Sequence, residues 1–254
     1  MTATFPTERM LDYQVCTLPP ASLAPHVEHW LNAGDGTARH IACANPHSIE
    51  VARTDAAFKY ALARADMLIP DGVGIVYASK FNGGDIAERV TGFDLFQVAS
   101  TLVAQRKGRM MFLGSSEDVL ATIRANMARD YPDIEVKTYS PPYKPVFSDT
   151  DNAAMHEAVN GFRPDVLWVG MTAPKQEKWV EANRARLDTR VIGSIGAVFD
   201  FYAGRIQRPG KVWRDLGLEW LPRLVGEPKR LWRRMVVSAP LFVGAVVADR
   251  FRRK

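Results

Sequence analysis

The sequence predicts an α/β fold with a parallel sheet, on three observations. Short apolar runs of strand length alternate with longer helical stretches. The turns that close those runs are polar or rich in glycine. The composition, 47% apolar and 24% charged over 254 residues, is that of an ordinary globular protein. A β-α-β-α rhythm of this kind favours a Rossmann-like parallel sheet with helices on both faces. A shift in composition from Gly204 to Gly210 marks a helical, basic C-terminal appendage. The expected division is a catalytic domain over 1–204 and an appendage over 205–254.

The elements follow in order. Arg39 to Cys43 is a strand, and Asn45-Pro46 then opens a helix, with Asn45 as cap and Pro46 in the first turn. That helix is predicted to continue through Phe58 and Leu62. Asp66 to Ile69 is the second strand and stops at Pro70-Asp71-Gly72. Gly92 to Gln105 reads as helix. Met110 to Leu113 is a buried strand ending at Gly114-Ser115-Ser116, with a helix behind it through Asp130. Ile134 to Val136, Val166 to Val169 and Val191-Ile192 are further strands. Helices are expected over Asp149 to Val159 and Lys175 to Arg186. In the tail, Leu216 to Val225 and Pro228 to Arg253 read as helices, the second kinked or interrupted by Pro240.

Composition excludes several classes. Two cysteines, Cys16 and Cys43, are too few for a disulfide framework, so a reducing compartment is expected. No Cys/His cluster has metal-ligand spacing, so a structural zinc site is not expected; no cofactor is expected either. Residues 1–13 carry Glu8, Arg9 and Asp12 and lack the apolar core of a signal peptide. The stretch from Met235 to Ala248 would rise about 21 Å as a helix, short of a hydrocarbon core of about 30 Å.

The net charge of +5 conceals an asymmetry. Residues 205–254 hold 13 Lys/Arg against four Asp/Glu, a net +9, which leaves −4 for residues 1–204. A basic tail on an acidic body points to a localised anionic partner: a membrane surface, a lipid diphosphate or a nucleic acid.

In open α/β sheets, ligands bind beyond the carboxyl ends of the strands. The turns there present Asn45, then Asp71-Gly72, then Gly114-Ser115, then Gly170 through Lys175-Gln176-Glu177. Glycine turns at helix N-termini can offer N–H groups to phosphate. Converging on one sheet edge, they suggest a nucleotide or nucleotide-sugar site. Asp71 reads either as a turn residue or as a carboxylate able to take a proton from a hydroxyl. Arg89 reads either as a surface partner of Glu88 or as part of the site. Asp149-Thr150-Asp151 resembles a metal-binding acid pair, but its place at a helix start favours capping. The GxGxxG fingerprint is missing, since Gly72-Val73-Gly74 lacks the third glycine, and this disfavours a dinucleotide oxidoreductase. A non-catalytic module that binds nucleic acid or lipid through the tail is the other class compatible with the charge.

These segments together resemble the WecG/TagA/CpsF family of bacterial glycosyltransferases. The matching pieces include Ala44-Asn45-Pro46, Ala65 through Gly74, Glu88 through Leu95, Phe112 through Ser115, Val169 through Glu177, and Gly193 through Asp200. In the tail they include Ala203-Gly204, Arg208-Pro209, Gly217 through Trp220 and Arg223 through Pro228. They occur in order over roughly residues 40–235.

The resemblance implies an inverting enzyme that moves a sugar from a UDP-sugar to a sugar on undecaprenyl diphosphate. Its product would feed cell-surface polysaccharide, teichoic acid or exopolysaccharide. It assigns Asp71 as base and places Asn45, Arg89 and Gln176 in the site; the strand-end turns add Gly72, Gly114, Ser115, Gly170 and Lys175 as expected substrate-binding positions. It maps diphosphate-holding arginines to Arg223, Arg230 and Arg233. Many members have Thr where this chain has Cys43. Turnover without metal is expected, because the leaving diphosphate can be met by backbone amides and arginines. The run from Leu241 to Val247 and the terminal Arg250, Arg252, Arg253 and Lys254 suit an interfacial helix. Peripheral attachment to an anionic membrane, at the cytoplasmic face of the inner membrane, is the expected location. Nucleic acid is not expected as a partner, and a homo-oligomer stays open.

Overall fold

The computed structural model describes residues 5–205 and 232–252. Six strands form one all-parallel sheet: β3 (Arg39–Ala44), β4 (Met67–Pro70), β5 (Arg109–Gly114), β6 (Glu135–Tyr139), β7 (Val166–Gly170) and β8 (Val191–Ser194). Their order is β4-β3-β8-β7-β5-β6. A short antiparallel hairpin, β1 (Thr7–Met10) with β2 (Tyr13–Cys16), precedes the sheet.

The interior strands are apolar runs because both sheet faces are covered. Neighbouring residues alternate between the two sides. Ile41, Met110, Phe112 and Trp168 pack under α1 (Ala24–Asn32), α5 (Gly92–Gln105), α6 (Glu117–Asp130) and α9 (Gly196–Tyr202). On the opposite face, Ala42, Ala44 and Leu68 meet α2 (Pro46–Ala52), α3 (Ala56–Ala63) and α4 (Val73–Asn82). Further along that face, Met111, Leu113, Leu167 and Val169 meet α7 (Asp149–Phe162) and α8 (Lys175–Asn183).

Two boundaries depart from the sequence reading. The helix expected from Pro46 through Leu62 is two helices. Asp55 breaks it, its carboxylate accepting from Phe58 N at 2.9 Å and so capping α3. The strand expected at Ile134 to Val136 runs instead from Glu135 to Tyr139, at the sheet edge, where pairing with β5 matters more than burial.

In the tail, Pro240 causes no chain break. A π-helical turn, Arg233–Ser238, widens the helix just before it, and α10 (Ala239–Arg252) continues. The wider turn accommodates the missing proline N–H. Phe242 and Val246 are buried in the α2–α4 cluster, Arg9 pairs with Asp249 at 3.1 Å, and the Arg250 guanidinium lies 4.8 Å from the Phe81 ring centre. The described part of the appendage is therefore packed on the body. Among the described residues no helix is long and apolar enough to cross a membrane.

Candidate active site

β5 hands the chain outward to β6, while its neighbour β7 hands it the other way, to β8. In open α/β sheets ligands bind beyond the carboxyl ends of the strands, and the cleft here lies on the β8 side of that divergence, with no β5 residue in its lining. A cleft of about 470 Å³ lies beyond the carboxyl ends of β3, β4, β7 and β8. Its wall includes Asn45, Asp71, Gln176 and Ser194, together with Thr91 and Phe93 at the start of α5. Arg234 of the tail also lines it, as do His47, Asp200 and Phe201.

Each of these side chains is held from below. Asn45 caps α2: its Oδ1 accepts from Ser48 N at 2.9 Å, and Ser48 Oγ accepts from Asn45 N at 2.9 Å. That leaves the amide nitrogen of Asn45 as its remaining donor group. Asp71 is fixed by its N–H donating to Ala44 O at 2.8 Å, and Val90 N donates to Pro70 O at 2.9 Å. The Glu88–Gly92 segment is thereby tied to the Asp71 turn.

The floor is buried and polar. His40 lies wholly inside the protein, with Nε2 at 2.9 Å from Ser194 Oγ. Burial first, then the nearby Arg184 charge, lower its pKa to about 3, so the imidazole is neutral and orients Ser194. Burial, reinforced by Asp71 and then Glu177, pushes the Cys43 thiol well above its usual value, so it stays protonated. Gln176 is 5% exposed and does two jobs: Oε1 accepts from Met171 N at 3.3 Å, and Nε2 donates to Glu177 Oε1 at 2.8 Å. Burial raises the Glu177 carboxyl to about 7.

Residues 8–254 match the profile of the glycosyl transferase WecG/TagA/CpsF family. This chain belongs to that family. It is a glycosyltransferase, and its similarity to named relatives covers most of its length. An N-acetylglucosaminyldiphosphoundecaprenol N-acetyl-beta-D-mannosaminyltransferase of Bacillus spizizenii is 32% identical, over 82% of this chain and 78% of the relative. The enzyme of the same name from Bacillus subtilis is 27% identical over 84% and 81%, and that from Staphylococcus aureus 26% over 80% and 77%.

The WecG/TagA/CpsF positions named from sequence separate into groups. Asn45, Asp71 and Gln176 come together in the cleft. Arg89 is half-buried on the segment tied to the Asp71 turn, outside the lining of the cleft. Gly72 precedes α4 at φ +110°. Gly114 and Gly170 serve close packing: a Cβ on Gly114 would lie 2.4 Å from Gly170 O, and one on Gly170 would lie 2.8 Å from the Phe199 ring. Ser115 accepts at its carbonyl from Ser140 Oγ at 2.8 Å. Lys175 is engaged elsewhere, its ammonium donating to Lys144 O and lying 3.7 Å from the Phe147 ring centre. Arg223 and Arg230 lie outside the described residues, and Arg233 begins the π turn.

Asp151 has the capping role. It accepts from Ser148 N and Oγ, each at 2.8 Å, and from Lys144 Nζ at 2.7 Å. Lys144 first, then Ser148, holds its carboxyl down at about 2. Among the described residues no group of His, Cys, Asp or Glu could hold a metal ion.

The sequence reading missed Ser194, His47 and Arg234 as parts of the cleft. Ser194 ends a strand and falls in a matching family segment, so its position was a usable signal. Arg234 had no local signal, because it reaches the cleft only through the docking of α10.

Proposed function

We propose that this glycosyltransferase inverts configuration while moving a sugar from a UDP-sugar to N-acetylglucosaminyl-diphosphoundecaprenol. The observation that carries the proposal is the convergence of Asp71, Asn45 and Gln176 in one cleft, with a tail arginine, Arg234, at its side. The relatives' acceptor supplies the lipid-linked sugar of the proposal.

In the proposed reaction Asp71 takes the proton of the acceptor hydroxyl as its oxygen attacks the anomeric carbon. The C–O bond to the acceptor forms as the bond to UDP breaks on the opposite face. UDP leaves with the added negative charge, which must be stabilised. The N-terminal turns of α5 and α8 and the arginines of the tail, Arg223, Arg230 and Arg233 with Arg234, are suited to that task. Gln176 sets the loop from Met171 and the orientation of Glu177. Turnover is expected to persist in excess EDTA, and an absolute need for Mg²⁺ or Mn²⁺ would overturn that part.

The enzyme is further proposed to work as a peripheral protein on an anionic membrane, at the cytoplasmic face. Leu241, Val243 and Phe251 are exposed on α10, beside the basic Arg250 and Arg252. Apolar and basic groups together are what an interfacial helix requires.

The deciding experiment offers UDP-linked N-acetylmannosamine, its uronic acid, glucose and glucuronic acid to the enzyme with the lipid-diphosphate acceptor, and reads product mass. One donor should give a disaccharide lipid. Thermal stabilisation by NAD and not by UDP, with no product, would overturn the proposal.

A further inference from the structure

One buried carboxyl in the cleft has no part in the proposed proton transfer. Glu177 lies in the first turn of α8, 3% exposed, and lines the cleft that holds Cys43 and Asp71. Its Oε1 accepts from Gln176 Nε2 at 2.8 Å, whereas Oε2 is buried and has no hydrogen-bond partner among the described residues. The next residue, Lys178, does not neutralise it, because its ammonium is paired with Asp55 at 2.8 Å. The remaining titratable groups of the cleft are Cys43, His47, Asp71, Asp200 and Arg234.

The protonation follows from the surroundings. Burial holds the carboxyl up at about 7, so near neutral pH the acid form is well populated. Oε1 already accepts a hydrogen bond, so the proton belongs on Oε2. A protonated carboxyl then has one O–H donor, on a residue that lines the cleft. Buried polar groups nearly always have partners, and a group at a ligand cleft can find its partner in the ligand. A neutral donor in a cleft that also holds Asp71 and Asp200 suits a neutral oxygen better than a phosphate.

We propose that Glu177 is a substrate-positioning residue whose Oε2–H donates to a hydroxyl or amide carbonyl oxygen of a sugar bound in the cleft. The sugar is that of the donor or that of the acceptor, and the inference rests on the transferase reading. Glu177→Gln keeps an N–H donor at the same place without a charge. Glu177→Ala removes it.

The test is steady-state transfer, varying the UDP-sugar and the lipid acceptor separately, below and above pH 7. For the substrate whose sugar Glu177 holds, wild-type KM should rise about tenfold above that pH, the scale of one lost hydrogen bond. E177Q should hold KM within about threefold across the range. E177A should raise it about tenfold at either pH, with kcat little changed. The affected KM identifies the donor or the acceptor as the source of the sugar. A collapse of kcat in E177Q would overturn the inference, because the ionised form would then be needed. So would unchanged KM values in both variants while the wild type transfers sugar. Absence of wild-type transfer with every donor would instead remove the transferase reading, and this inference with it. E177Q is the isosteric control for folding.

Discussion

Asp71 and Glu177 face one cleft from unlike surroundings. Asp71 is half-buried on an open turn, and Glu177 is enclosed in a helix turn. As the proposed base, Asp71 should carry the proton transfer. Asp71→Asn is expected to lower kcat by about 10²–10⁴-fold with a small effect on KM, measured by product formation with saturating donor. A variant with near wild-type kcat would remove Asp71 from the chemistry. Glu177 carries a prediction about stability. Its folded-state pKa of about 7 lies above the ordinary 4.5, so the folded state holds a proton that the unfolded chain has lost between those values. The stabilising contribution is complete below 4.5 and is lost as pH rises through 7. His40 acts in the opposite sense: its folded pKa of about 3 lies below 6.5, so its contribution is present above 6.5 and lost as pH falls through 3. Denaturant midpoints should therefore show E177Q gaining on the wild type between about pH 5 and about pH 8. Parallel curves for the two proteins would contradict the buried-acid reading. Asn45 and Asp71 were legible from sequence because strand-end turns expose the residues they carry. His40 was not, and Glu177 was named only as part of its turn, because the burial that defines both comes from distant elements.

At the scale of elements, the apolar runs of β3, β4, β5 and β7 announced themselves, since a strand covered on both faces has few polar positions. The hairpin did not. Thr7–Met10 and Tyr13–Cys16 contain no apolar run, and only Met10, Tyr13, Val15 and Cys16 turn inward. α4 was hidden by Gly72 and Gly74 at its start, which read as loop. α9 begins just after β8, so its apolar residues blur into the strand. Two of the glycines named for substrate binding, Gly114 and Gly170, also set how closely strand ends approach. Gly114 stands at φ +114°, with a Cβ position 2.4 Å from Gly170 O. Gly114→Ala should lose about 1–3 kcal/mol to backbone strain and close contact, read as a lower midpoint in thermal or urea unfolding. An unchanged midpoint would show that the β5–β7 edge can yield.

At the scale of the molecule, the tail has two sides. Phe242 and Val246 anchor it in the body, with Arg9–Asp249 and the Arg250–Phe81 contact alongside. Leu241 and Phe251 remain 52% and 70% exposed. Anchoring explains how Arg234 reaches the cleft, and the exposed residues explain how the same helix could rest on lipid. The charge asymmetry was visible in the sequence, but the inward packing was not, because a short apolar helix looks alike whether it meets protein or membrane. Replacing Leu241 and Phe251 by Asp should leave the fold intact, since neither side chain is buried. Binding to anionic vesicles should then fall at least tenfold, and the residual binding should be sensitive to salt, because each basic residue near the surface contributes about 1 kcal/mol. Transfer to a long-chain lipid acceptor in vesicles should fall in parallel. Transfer to a short-chain, water-soluble acceptor should persist, because Arg234 keeps its place. If sedimentation with vesicles is unchanged, the membrane contact lies elsewhere. If transfer to the soluble acceptor also collapses, the outer side of α10 supports the cleft itself, and docking on lipid and completion of the site are one event.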